Sequence, residues 1–286
     1  MIPPQFDCVR ARTVEEAVAV LAEQDNAKLL AGGQSLLPIL RLRLAYPDVV
    51  VDLNRTAGMR GIRDEGDHLV IGAMTTHYAV MNSALVRRHC GLLAEATATV
   101  ADPQVRHRGT FGGAVSHADP AGDLPAVALA FGTTMVVAGP NGRRTVSASE
   151  FFVDYLQTAL EPTEMLVEVR VPKLGTSTAW GYRYEKFQRV AQAWAVVGVA
   201  ALVRRSAGAI EQARIGLTNM GSRPLRATAT EAALNGVKVT AGAVDEAAAL
   251  AADGTSPPSD LSGQADYRQH LARVLTRSAV LTAAGI

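Results

Sequence analysis

The stretch TFGGAVSHADPAGDLP, residues 110–125, places two adjacent glycines close to hydroxyl and carboxylate side chains. Gly112 and Gly113 have no Cβ, so their backbone N–H groups can approach a ligand closely. Backbone amides and hydroxyls bind phosphate, and the carboxylates of Asp119 and Asp123 can hydrogen-bond to a polyol. The stretch therefore predicts a loop that holds a ligand with both phosphate and polyol groups.

An earlier stretch, LLAGGQSLLP at residues 29–38, repeats the glycine pair at Gly32 and Gly33. Two such loops, each following an apolar run, predict one ligand whose two phosphates are held from two sides. A tight turn explains either pair equally well when it is taken alone. Neither pair belongs to a P-loop or to a Gly-x-Gly-x-x-Gly fingerprint.

Length and composition indicate a globular protein of two or three modest domains. The chain has 286 residues, is 48% hydrophobic, and carries a formal net charge of +1, which is no signature of nucleic-acid binding. Its two cysteines, Cys8 and Cys90, are too few for a cysteine-bound iron–sulfur cluster within the chain. The N-terminal residues do not resemble a signal peptide, and no apolar run is long enough for a transmembrane helix, so we expect a cytoplasmic protein.

The N-terminal third predicts a small α/β unit. A capping box at Thr13 and Glu16 begins a helix that ends near Gln24. Apolar runs at residues 28–31 and 48–53 predict strands on either side of the first glycine loop. Strands separated by a helix suggest a parallel pair.

The middle of the chain mixes helices with antiparallel strands. We expect a strand over residues 68–73, a helix that Thr76 caps, one helix over residues 85–100, and a helix over residues 124–131. The sequence further predicts a hairpin across Pro140-Asn141-Gly142, a short helix over residues 149–155 and a strand over residues 164–171.

A change of pattern after residues 175–178, GTST, marks these residues as a linker. Long strands follow, predicted over residues 180–187, 193–203 and 210–218, the last two joined across Ser206-Ala207-Gly208. Alanine-rich helices come next, over residues 227–235, 243–252 and 267–284. This order predicts an α+β domain with helices packed on one face of an antiparallel sheet.

Two residues allow a structural as well as a functional interpretation. Asp123 precedes the helix that begins at Leu124, and capping preference alone favours an N-cap role over a ligand role. Lys186 lies on a strand with alternating polarity, where a lysine is most simply explained as a surface residue on the polar face.

The two glycine motifs, together with His117-Ala118-Asp119-Pro120 and Asp123-Leu124-Pro125, resemble those of the flavin-binding medium subunits of molybdenum hydroxylases. The carbon monoxide dehydrogenase type is the most similar, within the wider xanthine dehydrogenase family. The resemblance extends from Pro3 to the C-terminal helices.

The resemblance implies an FAD-binding N-terminal part, of the PCMH or vanillyl-alcohol-oxidase type, made of two α/β subdomains. We expect these subdomains at residues 1–57 and 58–174. A C-terminal α+β domain like that of carbon monoxide dehydrogenase flavoproteins is expected at residues 178–286.

The resemblance also assigns cofactor-binding roles. In the family both glycine loops hold the FAD pyrophosphate. The corresponding residues here are Leu29, Leu30, Ala31, Gly32, Gly33, Gln34, Ser35 and Leu36 in the first loop and Thr110, Gly112 and Gly113 in the second. Asp123 matches a carboxylate that holds the ribityl chain, Leu166 an apolar residue packed on the isoalloxazine ring, and Lys186 a basic residue near that ring. No catalytic residue and no metal ligand is expected in this chain.

The implied function is electron transfer within a heterotrimer, which we expect as a dimer of heterotrimers. A large subunit would carry the molybdenum cofactor and a small subunit two [2Fe–2S] clusters, and the FAD of this chain would pass electrons to an external acceptor. The complex would lie in the cytoplasm or at the inner face of the membrane. The alternatives are a free-standing FAD-dependent oxidoreductase, the flavin subunit of a purine or N-heteroaromatic dehydrogenase, and a scaffold protein that has lost flavin.

Overall fold

A computed structural model describes residues 2–174 and 180–286 of the chain. It contains a parallel three-stranded sheet, an antiparallel five-stranded sheet, an antiparallel four-stranded sheet and one short hairpin, with helices packed around them. The predicted combination of an FAD-binding-type N-terminal part with a C-terminal α+β domain is confirmed. Within the described ranges, no helix is both long enough and apolar enough to span a membrane.

The first unit is the small parallel sheet, with strand order β1-β3-β2. Its elements are β1 Asp7–Arg10, α1 Val14–Glu23, β2 Ala27–Leu30, α2 Leu36–Arg41 and β3 Val49–Asp52. The predicted capping box begins α1, where the Thr13 hydroxyl accepts a hydrogen bond from the Glu16 amide at 3.1 Å. The Glu16 carboxylate, however, accepts from the amide of Arg12, at 2.6 Å, and not from that of Thr13. The predicted parallel pairing of β2 with β3 is confirmed.

The second unit surrounds the antiparallel sheet β4-β5-β10-β6-β7. Its elements are β4 Ile62–Glu65, β5 His68–Gly72, α3 His77–Asn82, α4 Ala84–His89, α5 Gly91–Ala98, α6 Pro103–Arg108, α7 Phe111–His117, α8 Asp123–Phe131, β6 Thr134–Gly139, β7 Gly142–Ser147, α9 Ala148–Phe151, β8 Phe152–Asp154, β9 Gln157–Thr158 and β10 Met165–Pro172.

Three local predictions for this unit were wrong. The single helix over residues 85–100 is broken at Cys90, whose backbone leaves the helical region. The helix predicted over residues 149–155 covers only α9, because the chain turns into the hairpin β8–β9. The second glycine motif is not an open loop but the first turn of α7, which Thr110 caps through the amide of Gly113.

The third unit is the antiparallel sheet β11-β12-β13-β14 with three helices. Its elements are β11 Trp180–Phe187, β12 Val197–Ser206, β13 Ala209–Thr218, β14 Leu225–Arg226, α10 Thr228–Leu234, α11 Ala241–Ala248 and α12 Ala265–Ala284. The predicted meander is confirmed, although β12 begins at Val197 and not at residue 193. The proposed linker at residues 175–178 lies outside the described residues.

The third sheet is covered on both faces. One face packs against α10, α11 and α12 in a core that includes Val199, Ile215 and Val280. The other face contributes Tyr184 and Leu202 to the core of the N-terminal units. The third unit is therefore joined to the N-terminal part through an apolar interface, in addition to the chain connection.

Candidate functional site

A cavity of about 570 Å³ lies between the N-terminal units and the third unit. Its volume is within the range of small-molecule and cofactor pockets. Of the residues predicted to bind the cofactor, the cavity wall includes Leu29, Ala31, Gly32, Gly33, Gln34, Ser35, Leu36, Thr110, Gly112, Gly113, Asp123, Leu166 and Lys186. Leu30 is the one that does not reach the wall. The fold thus brings both glycine motifs and the two distant residues Leu166 and Lys186 to one site.

The first glycine loop presents a run of free amides. The N–H groups of the five residues from Gly32 to Leu36 find no acceptor within residues 2–174 and 180–286. All five residues line the cavity, and Gly33 adopts a left-handed backbone conformation with φ of +75°. Successive free amides around such a residue form an anion-binding concavity, which fits a phosphate group. This part of the wall therefore suits the pyrophosphate of FAD.

The glycines of the first loop also serve packing within the protein. A Cβ on Gly32 would lie 2.3 Å from the carbonyl oxygen of Arg108. A Cβ on Gly33 would lie 2.9 Å from Cδ1 of Leu37 and would also have to tolerate the positive φ. The first glycine is therefore needed where the loop crosses the backbone before α7, independently of any ligand.

The second glycine motif has its amides already paired. The Phe111 amide donates to the Thr75 carbonyl and the Gly112 amide to the Ala73 carbonyl, both at 2.9 Å. The Gly113 amide donates to the Thr110 hydroxyl at 3.1 Å. The Thr110 hydroxyl keeps its own proton for donation, so this motif can offer a hydroxyl and a close backbone surface to a phosphate.

Asp123 is neither an N-cap nor a free carboxylate. It is the first residue of α8, where Gly122 occupies the N-cap position. Its Oδ1 accepts from the hydroxyl of Tyr184 at 2.6 Å, and its Oδ2 accepts from Nζ of Lys186 at 2.8 Å. The capping role favoured by sequence preference was therefore wrong, and Asp123 instead joins α8 to β11.

Lys186 is not the surface lysine that strand alternation suggested. Only 5% of its side chain is exposed, and Nζ also donates to the Thr99 carbonyl at 3.1 Å. Burial raises the pKa of the Asp123 carboxyl, while the Lys186 ammonium and the Tyr184 hydroxyl act in the opposite direction. Burial and the nearby Asp123 charge raise the pKa of Tyr184 well above its usual value, which keeps its hydroxyl protonated as a donor.

Leu166 reaches the cavity from a sheet irregularity. It lies on β10, where the register with β6 shifts between Leu166 and Glu168. Its side chain is buried, in contact with the apolar core, and it borders the same cavity as Lys186. An apolar wall next to one buried cation suits a flat, mostly apolar ring with polar edges.

Sequence reasoning missed several residues of the cavity wall. His77 contributes a buried imidazole, and Leu156, Gln192 and Trp194 come from the hairpin β8–β9 and the segment after β11. Burial, with a smaller effect from Arg106, lowers the pKa of His77 to about 4. None of these residues belongs to a motif, so only the three-dimensional arrangement identifies them. Tyr184 does not line the cavity but contacts Asp123. The sequence could have indicated it, because it lies two residues before Lys186 and so on the same face of the strand.

Two family models cover most of the chain. Residues 4–174 match the FAD binding domain in molybdopterin dehydrogenase, and residues 182–283 match the CO dehydrogenase flavoprotein C-terminal domain. Similar curated proteins include the carbon monoxide dehydrogenase medium chain of Hydrogenophaga pseudoflava, which is 43% identical over 98% of this chain and 97% of that protein. The glyceraldehyde dehydrogenase medium chain of Sulfolobus acidocaldarius is 34% identical over 98% of each chain.

Solved structures show the same fold. A chain of the carbon monoxide dehydrogenase from Hydrogenophaga pseudoflava that lacks the Mo-pyranopterin moiety has a TM-score of 0.96 and 46% identity, covering 99% of this chain and 98% of that one. A chain of quinoline 2-oxidoreductase from Pseudomonas putida 86 has a TM-score of 0.94 and 34% identity, with the same coverage. The predicted family is confirmed: this chain belongs to the FAD-binding medium subunits of molybdenum hydroxylases, of the carbon monoxide dehydrogenase type.

Proposed function

We propose that this chain carries FAD in a heterotrimeric enzyme that oxidises carbon monoxide. Its large subunit would hold the molybdenum cofactor and its small subunit the [2Fe–2S] clusters. The observation that supports FAD binding most directly is the run of free amides from Gly32 to Leu36 along the cavity. Carbon monoxide as the substrate is supported by two similar proteins, the carbon monoxide dehydrogenase medium chains of Hydrogenophaga pseudoflava and Afipia carboxidovorans, at 43% and 40% identity.

The cavity residues fall into three groups, and each group would contact one part of FAD. Leu29 and residues 31–36, with Thr110, Gly112 and Gly113, would hold the pyrophosphate, and Asp123 would accept hydrogen bonds from the ribityl hydroxyls. Leu166 and Lys186 would border the isoalloxazine ring. When bound, FAD supplies the ability to accept electrons and pass them on, and the protein supplies binding, orientation and electrostatics.

The residues of this chain would bind and orient FAD, and none of them would exchange a proton with a substrate. The amides of the first loop would neutralise phosphate charge without adding a mobile cation. Asp123 and Lys186 are held by each other, so their charges stay fixed on the cavity wall. A buried fixed charge near the ring is one way in which a protein tunes the potential of a flavin.

The proposal also covers assembly, location and domain limits. We propose a dimer of heterotrimers, in the cytoplasm or at the inner face of the membrane through the complex. We further propose the limits 1–57, 58–174 and 178–286 for the two FAD-binding subdomains and the C-terminal domain. The separate parallel and antiparallel sheets of the two N-terminal units support the first limit. The mass of the purified complex and its distribution between cell fractions test the first two statements.

Flavin reduction by carbon monoxide tests the function. The complex of this chain with its large and small subunits should lose its visible flavin absorbance when carbon monoxide is added without oxygen. This chain alone should not respond, because the oxidising site is in the large subunit. Flavin reduction in the complex by a purine, an aldehyde or an N-heteroaromatic compound, but not by carbon monoxide, would replace the proposed substrate. Reduction by an organic substrate in the single chain would instead favour a free-standing flavoenzyme.

A further inference from the structure

The Asp123 carboxylate has a second donor that does not touch the cavity. The Tyr184 hydroxyl donates to Oδ1 at 2.6 Å, while the Lys186 ammonium holds Oδ2. Tyr184 is 3% exposed and, unlike Asp123 and Lys186, is not among the described residues that line the cavity. The hydrogen bond to Asp123 therefore links Tyr184 to a residue of the cavity wall.

The third sheet provides a fitted space for this hydroxyl. Gly198 pairs with Lys186 across β11 and β12, and a Cβ on Gly198 would lie only 2.6 Å from the Tyr184 hydroxyl oxygen. Thr218, on β13, borders the same space: its Oγ1 would lie 3.2 Å from a Cβ on Gly198. Three neighbouring strands thus determine where the Tyr184 hydroxyl lies.

Two donors on one strand restrict the carboxylate in a specific way. Tyr184 and Lys186 are two residues apart, so both side chains leave the same face of β11. A carboxylate has about four acceptor positions, and the two donors occupy one on each oxygen. The carboxylate cannot rotate without losing one of these bonds. Its remaining acceptor positions therefore point in a fixed direction.

We propose that Tyr184 is a positioning residue of the FAD site: its hydroxyl fixes the orientation in which Asp123 meets the cofactor. This inference rests on the proposed role of Asp123 as the acceptor for the ribityl hydroxyls. Through Tyr184, the C-terminal domain would contribute to FAD affinity although this residue does not itself touch FAD.

FAD titration of the assembled complex tests the proposal. FAD is removed from the purified complex, and its dissociation constant is measured as it is added back, with flavin fluorescence as the signal. Tyr184→Phe keeps the ring and removes the donor, so the dissociation constant should rise about tenfold, the size expected for a hydrogen bond to a charged group. Tyr182→Phe is the matched control on the same strand face, because the Tyr182 hydroxyl lies against Gly91. It should leave the dissociation constant unchanged.

Testing Tyr184→Phe in a second variant of the complex distinguishes a positioning role of Tyr184 from a general structural effect. In an Asp123→Asn complex, adding Tyr184→Phe should change the dissociation constant by less than about twofold, because the two substitutions remove one shared function. The same tenfold loss in both backgrounds would overturn the proposal. Gly198→Ala, which displaces the hydroxyl, should reproduce the effect of Tyr184→Phe, and circular dichroism of the FAD-free complexes shows that the variants are folded.

The titration also tests the proposed role of Asp123 separately from that of Tyr184. If Asp123→Asn alone leaves FAD affinity unchanged, Asp123 does not hold the cofactor and the inference falls with it. If Asp123→Asn weakens FAD binding but Tyr184→Phe does not, Asp123 keeps its role and only the positioning role of Tyr184 is overturned.

Discussion

His77 is a neutral imidazole enclosed in the wall of the cofactor cavity. It is 4% exposed, and its Nδ1 has no hydrogen-bond partner in the part of the chain that the structure describes. A ring nitrogen buried without an acceptor is better left as a lone pair than as an N–H group, so the proton belongs on Nε2. Burial, with the nearby charge of Arg106, lowers the pKa of His77 from 6.5 to about 4.

This pKa makes His77 a source of acid instability. In the unfolded chain the imidazole binds a proton below about pH 6.5, whereas the folded chain binds it only near pH 4. The unfolded state therefore gains protons first as the pH falls, and stability is lost between these two values. From about pH 7 to about pH 5, His77 should remove about 2 kcal/mol from the free energy of unfolding.

Replacing His77 with Phe should remove that part of the pH dependence. The measurement is urea unfolding of the full chain at both pH values, comparing the change between them in the wild type and in the variant. His270→Gln is the control, because that histidine is exposed on α12. An unchanged pH dependence in His77→Phe would mean that the imidazole titrates alike in the folded and unfolded states.

Asp123 and Lys186 show the limit of residue-level inference from a sequence. Capping preference and strand alternation describe each residue by its neighbours along the chain, and both gave the wrong local environment. The two side chains form one buried ion pair that joins residues 63 positions apart. Removing either partner would leave the other charge buried and unpaired, which is strongly destabilising.

At the scale of elements, the first glycine pair combines a ligand loop with a backbone crossing. The loop presents the free amides, and the carbonyl of Arg108 lies against Gly32 in the same loop. The pattern of two glycines predicted close approach correctly. It could not show that the approaching group includes the protein's own backbone, because the crossing depends on how α6 and α7 are placed.

Gly32→Ala should therefore destabilise the fold as well as weaken FAD binding. A Cβ 2.3 Å from the Arg108 carbonyl oxygen forces the backbone to move, with a cost of about 1–3 kcal/mol typical of overpacking. The control is Gly242→Ala on α11, where a Cβ meets no atom within 4 Å. That substitution should stabilise the chain by roughly 0.4–1 kcal/mol. Equal unfolding midpoints for wild type and Gly32→Ala would contradict the crossing.

Element types were predicted better than element limits. Hydrophobic periodicity located α1, α12 and most strands, since each has a clear apolar face, and a continuous apolar run located α8, which is buried along its whole length. It merged α4 and α5 because Cys90 and Gly91 do not interrupt the apolar pattern. A tertiary contact explains the glycine that follows the break: a Cβ on Gly91 would lie 2.2 Å from the Tyr182 hydroxyl, on a strand of the third unit.

At the scale of the whole molecule, the cavity wall combines residues of the N-terminal units with residues of the third unit. The end proposed to hold the pyrophosphate is formed by the first glycine loop and α7, and the cavity wall also includes Lys186, Gln192 and Trp194 from the third unit. The family resemblance predicted most of these residues, but periodicity and spacing could not, because no local pattern links residue 32 to residue 194. The residues added by the structure come from irregular segments, where sequence patterns are weakest.

The rim of the cavity is apolar and exposed in the single chain. Leu156 and Trp194 both line the cavity, yet they are 43% and 55% exposed, and Val190 nearby in sequence is 66% exposed. Exposed apolar groups at the mouth of a site mark an interaction surface. A flavin that receives electrons from a partner subunit needs its ring edge near that subunit, so we expect the partner to cover this rim.

Hydrogen–deuterium exchange of the single chain and of the assembled complex checks this expectation. Assembly should slow amide exchange at residues 153–158 and 188–194, because a docked partner excludes water and restrains both segments. Exchange in α11 should stay the same, since α11 packs on the opposite face of the third sheet, away from the core shared with the N-terminal units. If assembly protects α11 and leaves the rim unchanged, the partner binds the other side of the molecule, and electrons would have to reach the flavin by a route that does not cross the rim.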